Sequence, residues 1–261
     1  MHTFRKFTYD AWLMFGRTVR EATRNAGLAF VAPVLLSLFL LVLFQGVYGG
    51  IADAAGWPTG AFIDWIAAGA VFVSVFVGAG YTAGGLLRDL DSGYLLRLRL
   101  LPVHPGAVLV GKVAFEATRA ALVAAAVLGL ALALGADNHA GVPGFLLVVG
   151  LAVAFSFAWN GIFYLAALTA RTHAAVLGLQ PIFMPVIMFS TFWVPLSFMP
   201  GWYQAVATWN PFNPVLAASR SVLLGTALWP HLAIAALVMA GLAGLTYTVA
   251  VRRYTRLTAA T

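Results

Sequence analysis

The sequence predicts an all-α membrane protein with six transmembrane helices and an amphipathic interfacial helix at its N-terminus. Three observations predict this. Hydrophobic residues fill 62% of the 261 positions and charged residues only 9%, where a soluble domain carries about a quarter. The mean hydropathy is +0.93. Nearly every Lys and Arg lies in gaps on one side of the apolar runs. No polar stretch is long enough to bury a core of its own, so residues 1–261 read as one membrane domain with loops and tails.

A helix needs roughly 20 mostly apolar residues to cross the hydrocarbon layer. Runs of that kind lie at 28–48, 62–87, 106–134, 142–170, 174–194 and 231–251. Polar gaps at Asp53, at Asp137-Asn138 and at Arg171-Thr172-His173 separate some of them. The first run starts near residue 26, lacks a small-residue cleavage site and is long enough to span. No cleavable signal peptide is therefore expected.

Orientation follows from the bias of Lys and Arg in short loops. With the N-terminus inside, the cytoplasmic parts hold Arg5, Lys6, Arg17, Arg20 and Arg24. They also hold Arg88, Arg97, Arg99 and Lys112, then Arg171, then Arg252, Arg253 and Arg256. Arg220 is the sole outer cation, Arg119 sits low in the third span, and the outer loops carry Asp53, Asp64 and Asp137. Both termini are thus expected in the cytoplasm of a multi-pass plasma (inner) membrane protein. The net charge of +7 is a topology and lipid-headgroup signal. Its scatter over four cytoplasmic segments argues against nucleic acid. The absence of cysteine excludes disulfides, thiol catalysis and cysteine metal sites. The five His residues are far apart on different sides, so no metal site is expected.

Residues 1–25 carry Phe4, Phe7, Ala11, Trp12, Phe15 and Val19 at three- and four-residue steps, with Arg17, Arg20 and Arg24 on another face. That pattern predicts a helix lying flat in the inner headgroup region, aromatics down and cations outward. It serves either as a surface anchor or also as a docking helix for a cytoplasmic partner. The loop 88–105 is cytoplasmic yet dense in leucine. Leu95, Leu96, Leu98, Leu100 and Leu101 alternate with Arg97 and Arg99, and Pro102 ends the run. A connector would be short and polar. A short helix over 93–101 is expected, either to contact a partner or to lie in the interface.

The run Arg88-Asp89, Gly93, Leu96-Arg97, Pro102-Val103 and Gly111-Lys112 resembles the cytoplasmic loop of ABC-2 type exporter permeases. A second match starts at Trp209-Asn210-Pro211-Phe212-Asn213-Pro214, continues through Arg220 and ends at Gly225. It resembles the family's segment before the last span. The nearest likeness is to small actinobacterial permeases of the daunorubicin-resistance type. Asp89 stands where the family usually has Glu, Tyr94 where it has Thr, and His104-Pro105 replaces a common pair.

The resemblance implies the ABC-2 fold: a cytoplasmic coupling helix, and outer re-entrant helices before the last span. It implies pairing with a second permease, identical or homologous, and binding of a separate ABC ATPase subunit. ATP and Mg would sit on that partner, and this chain would bind no cofactor directly. ATPase coupling would fall to Arg88, Asp89, Gly93, Leu95, Leu96, Arg97, Leu98, Arg99 and Pro102, passing force to spans two and three. The stretch Gly106 to Lys112 satisfies all but the last position of a phosphate-binding loop. It is rejected because Val113 has no hydroxyl for Mg²⁺ and no strand precedes it.

Ionisable groups at membrane depth cost about 3 kcal/mol each on insertion scales. Glu116 and Arg119 share a helical face and can pair, stiffening the third span. Gly80, Gly84 and Gly85 are expected to allow close helix approach. In the resembled exporters spans two and five line the path, which makes Phe76, Tyr81, Gln180, Met184 and Met188 lining candidates. Asn160 joins them from span four. Pro181 and Pro185 are expected to bend span five.

Residues 195–230 are too proline-rich for a plain span and too apolar for a solvated loop. They predict two short re-entrant helices under an outer gate formed by Trp202, Trp209, Asn210, Pro211 and Arg220. Arg220 is expected to anchor the gate to an acidic group or a lipid phosphate.

The leading function is the permease half of an exporter moving a hydrophobic or amphipathic lipid, glycolipid or drug. One alternative is a membrane subunit that only recruits an ATPase. Another is an intramembrane enzyme, disfavoured because no nucleophile elbow occurs and the acids do not pair within spans.

Overall fold

A computed structural model describes residues 2–55, 57–59, 61–94, 97, 100, 103, 105–182, 184–226 and 228–259, without the side chains of 2–4, 53–55, 105, 180, 182, 228 and 254–259. The described residues are helical, with no strand among them. Helix α1 is His2–Arg24. A π-helical turn, Gly27–Val31, joins it to α2, Ala32–Ala55. Then follow α3 (Phe62–Asp91), α4 (Pro105–Ala133) and α5 (Gly141–Ala170). Two short pieces, α6 (His173–Ile182) and α7 (Met184–Met188), precede a 3-10 turn at Leu196–Phe198. The chain closes with α8 (Gly201–Thr208), α9 (Asn213–Leu223) and α10 (Leu228–Ala259).

Among the described residues, five stretches are long and apolar enough to cross a membrane: Gly27–Ala52, Phe62–Asp91, Gly106–Ala133, Gly141–Ala170 and Trp229–Arg253. The run 174–194 does not form one long helix as expected. Pro181 and Pro185 each remove a backbone donor, and the helical pieces end at Met188. Residues 189–194 turn instead. Asp64, expected in an outer loop, sits buried in the first turn of α3. It accepts a hydrogen bond from the Asp137 backbone N–H at 2.7 Å, tying α3 to the α4–α5 connection.

Helix α3 is the hub. In its most apolar window 94% of residues are buried, against 22% for the helices at 27–52 and 229–253. It touches α2, α4, α5, α6 and α9. An aromatic chain holds its middle: Phe72 lies edge-on to Phe155 at 5.5 Å, Phe155 stacks on Trp159 at 5.5 Å, and Trp159 meets Phe76 at 4.9 Å. Offset and edge-on aromatic contacts add about 1 kcal/mol each beyond burial. Helices α2 and α10 instead expose Leu35, Phe39, Val42, Leu237 and Leu245, the surface a lipid-facing helix needs.

Helix α1 packs lengthwise on α4. The crossing point is Gly111, where a Cβ would come within 2.8 Å of the Phe15 backbone N and 2.9 Å of the Ala11 carbonyl. The buried stripe of α1 is Asp10, Thr18 and Ala22, with Met14 half-buried between them. This adds a third, protein-facing stripe to the expected aromatic and cationic faces, on which Trp12, Arg20 and Arg24 are exposed. Small and polar residues face the protein because only they let two backbones meet.

Candidate functional site at the C-terminal end of α3

Helices α3 and α4 meet along two matching polar stripes. Lys112, Glu116 and Arg119 recur at four- and three-residue steps on α4, one face of a helix. Opposite them on α3 stand Gly78, Thr82, Gly85 and Asp89, again at four-, three- and four-residue steps. Every charge on these stripes is paired.

Asp89 takes two cations. The Arg17 Nη2 donates to its Oδ1 at 2.5 Å, and the Lys112 Nζ lies 2.8 Å from its Oδ2. The Asp89 and Lys112 side chains are each only 2% exposed. The Arg17 guanidinium also sits 3.8 Å over the Tyr94 ring. Burial works against the Arg17 charge, but the hydrogen bond and charge of Asp89 outweigh it and hold Arg17 above its ordinary range. One carboxylate thus joins α1, α3 and α4. Two expectations are corrected here. Asp89 lies inside α3 rather than on the loop, because the helix continues to Asp91. Arg17 turns toward the carboxylate, half-buried, instead of outward to water. Lys112 is buried against the same carboxylate.

One turn deeper, Glu116 accepts from the Arg119 Nε at 3.0 Å, from its Nη2 and from the Thr82 hydroxyl. Arg119 is fully buried, and its Nη1 also donates to the Ala29 carbonyl in the π-helical turn at 3.5 Å. Its guanidinium occupies the space that a Cβ on Gly78 would need. A charge at this depth is tolerable only when paired and hydrogen-bonded. The sequence suggests the Glu116–Arg119 pair by spacing. Thr82, Gly78 and the Ala29 carbonyl carry no signal of their own and come from other helices.

Beside these clusters a groove of about 420 Å³ opens between the α1–α2 junction, α3 and α6. Helix α3 presents its single partly open stripe there: Val77, Gly80, Tyr81, Gly84 and Arg88. Leu28, Ala32 and Pro33 wall one side, Val176 and Leu177 the other, and Asn25 and His173 stand at the polar end beside Arg88. Tyr81 donates to the Glu21 carbonyl at 3.5 Å. A Cβ on Gly84 would meet nothing within 4 Å, so Gly84 shapes an opening rather than a helix contact. Glycines that admit close neighbours include Gly69, Gly78, Gly111, Gly144 and Gly161.

Of the lining candidates, only Tyr81 borders this groove. Phe76 and Asn160 are buried in the core, Phe76 against Trp159 and Asn160 donating to the Ser156 carbonyl at 2.9 Å. Both are drawn inward because α3 and α5 pack on each other through those faces. Met184 and Met188 are exposed on α7. The side chain of Gln180 lies outside the described residues.

Of the interfacial residues, Phe7 and Phe15 are half-buried, Trp12, Arg20 and Arg24 are exposed, and the Phe4 side chain lies outside the described residues. In the loop, Gly93 turns the chain out of α3 at φ +66°, a left-handed conformation natural to glycine. The Arg97 N–H then bonds the Gly93 carbonyl at 3.1 Å. Leu95, Leu96, Leu98, Arg99, Leu101 and Pro102 lie outside the described residues.

The opposite end of α3 is built differently. The Arg220 guanidinium lies 3.5 Å over the Trp65 ring. Its Nε donates to the Trp65 carbonyl at 3.1 Å and its Nη2 to the Thr191 carbonyl at 2.8 Å. Of the two expected anchors, an acidic group or a lipid phosphate, the first is not found among the described residues: carbonyls of the turn after α7 and of Trp65 in α3 take its donors. Asn210 donates to the carbonyls of Val186 at 2.6 Å and Phe189 at 2.8 Å. Asn213 accepts from the Thr191 N–H at 2.7 Å. Pro211 is exposed, and Trp202 and Trp209 project outward, Trp209 at 89% exposure.

The ABC-2 type transporter family model matches residues 9–224, a stretch that includes both buried clusters, the groove and the outer segment. A daunorubicin resistance ABC transporter permease protein of Streptomyces coeruleorubidus is 31% identical over 228 residues, covering 85% of this chain and 77% of that protein. A probable doxorubicin resistance ABC transporter permease protein of Mycobacterium tuberculosis is 26% identical over 223 residues, covering 85% and 79%.

Proposed function

Because this chain belongs to the ABC-2 type transporter family, we propose that it is the membrane permease of an ATP-driven exporter for an amphipathic molecule. The ATPase is a separate subunit. The observation that carries this reading is the Arg17–Asp89–Lys112 cluster. It welds the interfacial helix to the cytoplasmic ends of α3 and α4, which flank the loop 92–104. A push on that loop by an ATPase subunit would move α1, α3 and α4 together, since separating any of them strands a buried charge.

Six crossings fit this role. The cationic end of α10, with Arg252 and Arg253, belongs on the same side as α1 by charge bias. That requires α6, α7 and the turn 189–194 to complete a bent crossing, capped from α9 by the side chains of Arg220 and Asn213. Such irregular backbone is tolerated where protein covers it. Both termini then face the cytoplasm of the plasma membrane, with a second permease, identical or homologous, alongside. The relatives' names, which refer to resistance to two drugs, support outward transport of an amphiphile. The exposed Trp202 and Trp209 suit an outer gate at headgroup level.

Reconstitution of the permease with its ATPase in proteoliposomes tests the reading. ATP should drive amphiphile export, and replacing Leu96 and Leu98 together with Asp should leave ATP hydrolysis running while export stops. Export that survives this double change would refute the coupling role. ATP binding to an ATPase with no export of any amphiphile would favour a recruiting subunit.

A further inference from the structure

We infer that the groove between the α1–α2 junction, α3 and α6 admits an anionic phospholipid-like amphiphile from the inner leaflet, its phosphate held at Arg88. This deepens the exporter reading and rests on it for the idea of cargo.

The groove is amphipathic along its length. Its deep part is apolar, with Val77, Val176 and Leu177 around an open floor at Gly84. Its shallow end is polar, with Arg88, Asn25 and His173. That order matches a lipid lying with its chains toward the bilayer centre and its headgroup at the cytoplasmic surface. A volume of about 420 Å³ falls within the range of small-molecule pockets. It suits a headgroup and the upper part of a chain, with the remainder in the bilayer.

The charge balance chooses the sign of the headgroup. Asp89 is consumed by Arg17 and Lys112. Glu21, 4.0 Å from Arg17, is the other nearby acid. The exposed Asp91 lies 3.5 Å from the His173 Nε2. No carboxylate lines the groove among the described residues, and Arg88 is its one fixed charge. Its fork of donors suits a phosphate. The Tyr81 bond to the Glu21 carbonyl places the polar end against the last turns of α1, which carry Arg20 and Arg24. These add to a positive potential at the mouth and repel a cationic headgroup. The sequence hides the site because Arg88, Tyr81 and His173 belong to three different readings: a coupling loop, a lining residue and a span gap.

The chain has no cysteine, so one introduced at Leu177, on the α6 wall of the groove, carries the protein's single bimane label. In nanodiscs of the purified permease, brominated phosphatidylglycerol should quench this label at about a tenfold lower mole fraction than brominated phosphatidylcholine. Both lipids offer Arg88 a phosphate, so the ratio reports the net negative charge of phosphatidylglycerol, and the repulsion of the choline ammonium, at a mouth that carries Arg88, Arg20 and Arg24. Arg88→Gln should remove the preference. Gly84→Leu, which fills open space and so preserves the fold, should weaken quenching by both lipids. Arg253→Gln, outside the groove, should change nothing. Equal quenching by the two lipids, an unchanged preference in the Arg88→Gln protein, or stronger quenching by a brominated cationic amphiphile would each overturn the assignment. The proteoliposome export assay separates the two readings. Export without lipid preference rejects the groove assignment and keeps the exporter. Lipid preference without export of any amphiphile does the reverse.

Discussion

The two ends of α3 solve the same problem with opposite chemistry. At its C-terminal end, cations meet carboxylates: the half-buried Arg17 and the buried Lys112 on Asp89, the buried Arg119 on Glu116. At its N-terminal end, Arg220 meets, among the described residues, backbone carbonyls, the Thr191 hydroxyl and the face of Trp65. Ion pairs are strong and unforgiving, because a partner that leaves strands a charge. Carbonyl and ring contacts are individually weaker and more numerous. The C-terminal end is therefore suited to moving helices as one body, and the N-terminal end to pinning an irregular turn that can give way piece by piece.

The largest effect expected from breaking this contrast is at the C-terminal end of α3. Asp89→Ala should cost about 3–5 kcal/mol by leaving the buried Lys112 without a counter-charge. Thermal unfolding in detergent checks it. A loss under about 1 kcal/mol, the worth of a surface pair, would remove the distinction between the two ends.

Next comes the contact that lets α1 reach the cluster. Gly111→Val forces a side chain against the α1 backbone, where no rotamer can yield, and should cost about 1–3 kcal/mol. A cross-link between cysteines placed at Ala11 and Val110 should form in the parent and fail in the variant. Retained cross-linking would show that α1 is not seated by that glycine.

Arg220→Lys keeps the outer charge but loses the fork and the stacked plane. About 1–2 kcal/mol is expected, from the loss of one or two hydrogen bonds. The local readout is faster labelling of a cysteine at Ser190, now buried. Unchanged labelling would mean that charge alone holds the turn.

The smallest effect belongs to the exposed aromatics of α1. Trp12→Ala should leave unfolding unchanged within about 0.5 kcal/mol, and a spin label there should report lipid. A label at Arg24 should report water. A label at Arg17 should report the protein interior, in contrast to its neighbours on the same helix.

Much of the fold was legible because lipid leaves a helix few options. Long apolar runs mark the five long apolar helices of the described residues closely. The run 174–194 misled because hydropathy counts residues and ignores backbone donors. Pro181 and Pro185 end the helix where Asn210, Asn213 and Arg220 can supply the missing partners. Phe76 and Asn160 misled because a membrane helix with polar or aromatic marks can turn them to its own core as readily as to a path. The buried face of α1 misled because small residues looked like spacers between aromatics.

The sequence by itself determined the helical membrane class, the charge asymmetry and the local Glu116–Arg119 spacing. These depend on composition and on neighbours within one turn, which the chain order states directly. Only the tertiary structure decided that Asp89 would bind two cations from separate helices, that Gly78 would make room for a guanidinium, and that α3 would leave just one stripe open beside α6. Those outcomes depend on which helix faces meet. Burial forces each charge to find a partner but does not name it, and the partners of Asp89 stand 72 and 23 positions away in the chain.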